Sequence, residues 1–331
     1  MSRRGEVVLV TGAYGFIGGH LTLRLLEEGA EVVVLRRDNP ARSLLLLEDA
    51  ERDCNVVAGD LLDHESLLRV LNEYGVTTVF HLAAQAIVAV ANRSPLSTFE
   101  TNVRGTYNLL EAARLAPTVE RVVVASSDKA YGQHEELPYR EDAKLQPTFP
   151  YDTSKAAADL IARSYAETYG LPVAVTRLAN VYGGGDFNFS RLVPETVRAI
   201  LDDRPPLIRS DGSPERDFIY AADAVDAYLT IADAVDDPAN RGLAFNAGAG
   251  RPWPVLGIVR TLLDVAGSSL EPEIRGAGVP EGEIDRQYLD SSLIAERLGW
   301  RPQWSIEDGL AETWRWYQRV LPEALAQGEK R

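Results

Sequence analysis

Near its amino terminus the chain carries glycines at a fixed spacing, Gly12-x-x-Gly15-x-x-Gly18, between two segments of opposite periodicity. The segment before them, Val7-Val8-Leu9-Val10, is a continuous apolar run that predicts a strand buried on both faces. The segment after them, 16–28, repeats its apolar residues at helical spacing. Glycine lets a backbone approach a ligand closely, and the start of a helix offers free N–H groups and a positive dipole end. Strand, glycine turn and helix in that order predict a pyrophosphate cradle built from Gly12, Tyr14, Gly15, Phe16, Ile17 and Gly18.

The same alternation continues downstream. Strands are expected at 31–35, 55–58, 77–81, 121–125 and 172–177, with helices at 65–74, 97–115 and 151–169. Continuous apolar strands separated by helices predict an α/β fold: a Rossmann-type doubly wound parallel sheet. After Val181 the texture changes, with Gly183-Gly184-Gly185, Pro194, Pro205-Pro206 and Pro214, which predicts a smaller second domain. The expected organisation is a dinucleotide-binding domain over 1–177 with a returning segment at about 216–246. A smaller α/β carboxy-terminal substrate domain takes 178–215 and 247–331.

Charge narrows the partners. Thirty-four Lys+Arg against 49 Asp+Glu leave a net charge of −15, a field that repels nucleic acid and anionic membranes. A single cysteine, Cys54, excludes an internal disulfide, and His20, His64, His81 and His134 lack metal-ligand spacing, so no metal is expected. The longest leucine run, Leu44 to Leu47, is far below the ~20 residues that cross a bilayer. The start Met1-Ser2-Arg3-Arg4 does not read as a signal peptide, and a soluble cytoplasmic protein is expected.

The end of the second strand reads Leu35-Arg36-Arg37-Asp38. Arg36 and Arg37 there would neutralise a 2′-phosphate and favour NADP, whereas Asp38 would bind ribose hydroxyls and favour NAD. Both readings stand. Asp60 and Leu61, after the third strand, form a candidate adenine-contacting turn.

Tyr151-Asp152-Thr153-Ser154-Lys155 puts a tyrosine and a lysine four apart, on one face of a helix. An ammonium in that place stabilises a tyrosinate and can hold a ribose, so Tyr151 would serve as a base. The strand at 121–125 leads into Ser126-Ser127, and the Ser127 hydroxyl would share the substrate oxygen with Tyr151.

Taken in order, the glycine motif, His81-Leu82-Ala83-Ala84, Asn102, Ser126-Ser127, Tyr151-x-x-x-Lys155 and Arg216-Asp217-Phe218-Ile219-Tyr220 resemble the extended short-chain dehydrogenase/reductase family. The resemblance spans nearly the whole chain. It implies NAD(P) as cofactor, with Leu82, Ala83, Ala84 and Asn102 beside it, and a nucleotide-diphosphate sugar as substrate. It also implies a homodimer formed by the 97–115 and 151–169 helices. Ser127-Asp128-Lys129 resembles the nucleotide-sugar 4,6-dehydratases, whose water elimination needs an acid and a base; Asp-Lys looks most like CDP-glucose 4,6-dehydratase. On that resemblance Lys129 removes the C5 proton, Asp128 protonates the C6 hydroxyl, and Asn180, Arg191 and Arg216 hold the diphosphate. A UDP-sugar 4-epimerase is the alternative, and a non-catalytic NAD(P)-sensing protein is the alternative of another class.

Overall fold

The computed structural model describes residues 2–278 and 284–328, with side chains up to residue 321. Seven strands form the main sheet: β1 (Val7–Thr11), β2 (Glu31–Arg36), β3 (Asn55–Ala58), β4 (Thr78–His81), β5 (Arg121–Ser127), β6 (Val173–Leu178) and β7 (Ala244–Ala247). They are all parallel, in the order β3-β2-β1-β4-β5-β6-β7. The order reverses between β1 and β4, and that reversal opens a crevice at the carboxyl ends of the strands.

The two-residue period of the strands divides the core. Val8, Val10, Val32 and Val34 pack with Leu21 and Leu25 of the Phe16–Glu27 helix and with Val225 of the Ala221–Ala234 helix. Leu9, Val33 and Val79 pack on the other face with Leu67, Leu109 and Leu110. Each such side chain contributes roughly 1.5–3 kcal/mol by burial. A charge at Val10 or Val33 would break the sheet from either side.

A second, small sheet is centred on the Glu215–Tyr220 strand. Its first half pairs with Pro252–Pro254 (antiparallel) and Arg286–Gln287 (parallel), and its second half with Asn180–Tyr182. The sequence reading begins the returning segment at about 216; the chain comes back to the main sheet only after Tyr220, through the Ala221–Ala234 helix and β7. The small sheet rests on Tyr182, Phe218, Trp314 and Tyr317, packed among the Leu192–Leu201, Val255–Ala266 and Ile306–Gly328 helices.

Two expectations need correction. The helix expected at 97–115 begins two residues earlier, and its helical backbone runs on without a break through a wider π-helical turn at Glu100–Arg104, between Pro95–Phe99 and Gly105–Leu115. The wider turn carries Asn102, which is buried. Its amide oxygen accepts from the Gln85 N–H (2.7 Å), and its nitrogen donates to Gln85 O (3.2 Å) and Ser154 Oγ (2.8 Å). The strand expected to stop at 125 runs on to Ser127, because Ser126 and Ser127 pair with Arg177 and Leu178 of β6. Among the described residues no helix is long and apolar enough to cross a membrane.

Candidate active site

The glycine turn after β1 has no room for side chains. Gly12 has φ +77°, and a Cβ there would lie 2.7 Å from Ala83 N; a Cβ on Gly18 would lie 2.1 Å from Gly12 O. The N–H of Gly15 donates to Gly12 O (2.9 Å), and no side chain caps the helix that starts at Phe16. Unpaired N–H groups at Phe16, Ile17 and Gly18 are the partners a pyrophosphate needs, so the cradle fits a dinucleotide.

His81 props this turn from below. Its ring bonds Thr11 Oγ1 (2.8 Å) and Thr106 Oγ1 (2.9 Å), while Thr106 donates to Asn102 O (2.6 Å). Burial, with Lys155 nearby, lowers its pKa to about 3, so the ring is neutral. Thr11 Oγ1 also accepts from Ala83 N (3.3 Å), which fixes Leu82, Ala83 and Ala84 against Gly12.

At the adenosine end, Arg36 closes β2 and pairs with Glu51 (3.1 Å), which also accepts the Tyr14 hydroxyl. Arg37 and Asp38 pair with each other at 2.6 Å on the surface. Asp60 accepts from Leu62 N (2.9 Å), and the Leu61 carbonyl accepts from Asn108 (2.9 Å), which holds that turn in place.

The carboxyl end of β5 delivers the reacting groups. Ser127 caps a one-turn 3₁₀ helix, Asp128–Tyr131: its Oγ accepts from Lys129 N (3.2 Å) and donates to Asp128 Oδ1 (2.9 Å). Asp128 is 2% exposed, and its Oδ2 has no hydrogen-bond partner among the described residues. Burial raises its pKa, against the opposing charges of Lys129 and Arg216 and the Ser127 hydroxyl. The side chain is no solvated turn carboxylate.

Tyr151 stands in the first turn of the Pro150–Tyr169 helix, near enough to Ser127 for that hydroxyl to favour its ionised form. Burial pushes its phenol up to about 12; Arg191 pulls it down, while Asp128 and Asp152 push it further up. Lys155, one turn on, donates its Nζ to Ala125 O (2.8 Å), and burial lowers it to about 8. Arg191 is a second cation whose charge favours the tyrosinate.

Asp152 is the neighbour that sequence reasoning passed over. It is 5% exposed, and burial raises it to about 6, against Lys129 and with Asp128. Its only signal in the sequence is a carboxylate next to Tyr151 in the first turn of a helix.

The cations come from other elements. Arg191 pairs with Asp186 (2.9 Å), and its charge reaches Tyr151. Arg216 donates to the carbonyls of Glu215 (2.9 Å) and Asp285 (3.0 Å), and its charge reaches Asp128. Asn180 donates to Asp217 O (3.2 Å). The Asp217 carboxylate, fully buried, takes the N–H groups of Ala249 (3.0 Å) and Gly250 (3.1 Å), locking the loop after β7. Ser127, Asp128, Lys129 and Tyr151 thus lie at the carboxyl end of β5 and the start of the Pro150–Tyr169 helix, with the charges of Arg191 and Arg216 reaching them from other elements. Asn102 does not join them, since its amide is spent on Gln85 and Ser154. Among the described residues no group of three or more His, Cys, Asp or Glu side chains is placed to hold a metal.

Residues 8–248 match the model of the NAD dependent epimerase/dehydratase family. The chain belongs to that family. Within it, a dTDP-D-glucose 4,6-dehydratase of Mus musculus is 31% identical over 320 residues, covering 94% of this chain and 88% of the relative. A UDP-glucose 4-epimerase of Mycolicibacterium smegmatis is 33% identical over 309 residues, covering 92% and 96%. The chain spans about half (47%) of a trifunctional UDP-glucose 4,6-dehydratase/epimerase/reductase of Arabidopsis thaliana, at 30% identity. Among solved structures, a dTDP-glucose 4,6-dehydratase of Streptomyces venezuelae with NAD bound superposes with a TM-score of 0.84 at 34% identity, over 96% of this chain and 98% of that one. A UDP-glucose 4-epimerase of Thermotoga maritima with UDP-glucose gives a TM-score of 0.86 at 30% identity, over 95% and 99%.

Proposed function

We propose that the protein is a nucleotide-sugar 4,6-dehydratase that uses NAD and converts an NDP-hexose, with CDP-glucose as the favoured substrate, to the NDP-4-keto-6-deoxyhexose. The observation that carries this reading is Asp128: a buried carboxyl with one unpartnered oxygen, joined to Ser127 and followed by Lys129. A 4-epimerase needs no such group. The dehydratase relatives support the same reading.

Bound NAD supplies the hydride acceptor for C4 and the donor for C6. Ser127 and Tyr151 hold the sugar O4, and Tyr151, as the tyrosinate favoured by the neighbouring positive charge of Arg191, takes its proton. The resulting 4-ketone acidifies the C5 proton, which Lys129 removes once it is in its neutral form. Asp128, whose protonated form burial favours, passes its proton to O6 so that water leaves. C5 is then reprotonated, and the Tyr151 proton restores Asp128, so hydride and protons both balance over the cycle. Arg191 and Arg216 hold the diphosphate as charged donors.

The proposed active form is a homodimer. Leu96, Tyr107, Leu115, Leu160 and Tyr169 are exposed on helices that pack side by side, Pro95–Phe99, Gly105–Leu115 and Pro150–Tyr169. An apolar surface of this kind suits burial against a second copy.

The 4-epimerase remains the second reading because the Mycolicibacterium smegmatis relative is as similar as the dehydratases. Incubation with CDP-, dTDP-, UDP- and GDP-glucose, read by mass spectrometry, separates the two. Loss of one water supports the dehydratase, with Tyr151→Phe abolishing it. An isomeric product of unchanged mass supports the epimerase.

A further inference from the structure

We infer that Glu51 makes this site accept NAD and refuse NADP. The inference rests on the dinucleotide cradle and is independent of the dehydratase reading. The last residue of the second strand in such a sheet faces the adenosine ribose, and here it is Arg36, followed by Arg37. Taken alone, two arginines would welcome a 2′-phosphate.

The structure gives both of them counter-charges. Arg36 Nη1 lies 3.1 Å from Glu51 Oε1, and the same oxygen accepts the hydroxyl of Tyr14 from the glycine turn. Glu51 therefore bridges the phosphate loop and the end of β2, the two elements that flank the ribose. Arg37 is paired with Asp38 at 2.6 Å and Arg52 with Asp49 at 2.7 Å. Arg36, Arg37 and Arg52 are thus each matched by a carboxylate, Glu51, Asp38 and Asp49, so their charges are already neutralised before any phosphate arrives.

Space is not the obstacle. A cavity of about 400 Å³ adjoins the pair, lined by Arg36, Leu46, Asp49, Glu51, Arg52 and Val56. A 2′-phosphate entering there would have to take Arg36 from Glu51 and then sit beside that carboxylate. A 2′-hydroxyl would instead donate to it.

The test reads bound nucleotide and needs no turnover. The purified protein is equilibrated with equimolar NAD and NADP and passed through gel filtration, and the retained nucleotides are extracted and quantified by chromatography. Wild type should retain NAD. Glu51→Gln keeps an acceptor for Tyr14 but removes the charge, and should raise the retained NADP:NAD ratio about tenfold, a figure already discounted for solvent screening at this half-exposed pair. Glu51→Asp, which keeps the charge, should stay close to wild type; its thermal melt and that of Glu51→Gln check folding. An unchanged ratio in Glu51→Gln, or equal retention of both nucleotides by wild type, overturns the assignment to Glu51. Retention of neither by wild type overturns the dinucleotide reading beneath it.

Discussion

Replacing Asp128 by Asn should stabilise the folded protein and, in the same molecule, stop it from expelling water. The side chain is 2% exposed; one oxygen takes the Ser127 hydroxyl and the other has no partner. Burial therefore holds its pKa above the unfolded value of about 3.9. As pH rises past that value the unfolded chain gives up this proton while the folded chain keeps it. Stability then falls with pH until the folded pKa is reached. Asn carries no such proton. The melting temperature of Asp128→Asn should match wild type at about pH 4 and move above it as pH rises, with the gap opening by about 1.4 kcal/mol per pH unit while the proton is retained. Catalytically, losing a general acid should slow dehydration by about 10²–10⁴-fold. Oxidation at C4, which depends on Tyr151, should persist, so single-turnover absorbance should show reduced nicotinamide accumulating without product. A variant that melts below wild type at pH 8 would mean that the fold favours the ionised form of Asp128 over the protonated one. One that dehydrates at the wild-type rate would remove it from the chemistry.

Three further outcomes are expected. Arg216→Ala should weaken binding of the nucleotide sugar by about 2 kcal/mol, roughly 30-fold, and leave NAD binding unchanged; titration calorimetry with each ligand checks this. Asp152 titrates at about 6 beside Lys129 and Asp128, its carboxylate forming as pH rises through that value, so the acid limb of kcat/KM near pH 6 should flatten in Asp152→Asn. Leu160→Glu should turn a dimer into a monomer in light scattering, with the far-UV circular dichroism unchanged, because Leu160 is exposed on the isolated chain.

What is legible in the sequence follows from how local its physical cause is. Val7-Val8-Leu9-Val10 followed by Gly12 and Gly15 announces strand, turn and helix because burial and backbone freedom act within a dozen residues. Ser127, Tyr151 and Lys155 can be found because one strand end and one helical turn place them. Glu51 cannot be found this way. It sits in a short 3₁₀ turn without periodicity, and its partner Tyr14 is 37 residues away. The π turn at Asn102 is equally hidden, since its cause is a side-chain bond to Ser154 across 52 residues. The alternation Arg216, Asp217, Phe218 marks a strand but says nothing of which sheet receives it; only pairing with 180–182, 252–254 and 286–287 decides that.

The position of β5 in the sheet has a consequence for how such an enzyme can diverge. Ser127, Asp128, Lys129, Tyr151 and Lys155 all lie within residues 127–155, a single β5-to-helix excursion supported by the main sheet. Arg191, Asn180 and Arg216 lie beyond residue 178, on the small sheet and the loop leading to the Leu192–Leu201 helix. On the proposed reading, the reacting groups and the candidate contacts to the substrate diphosphate thus occupy separate stretches of the chain, joined near Leu178. Recombination at that joint with a relative would leave the 127–155 stretch whole but exchange Arg191 and Arg216, the two cations whose charges reach Tyr151 and Asp128 from beyond it.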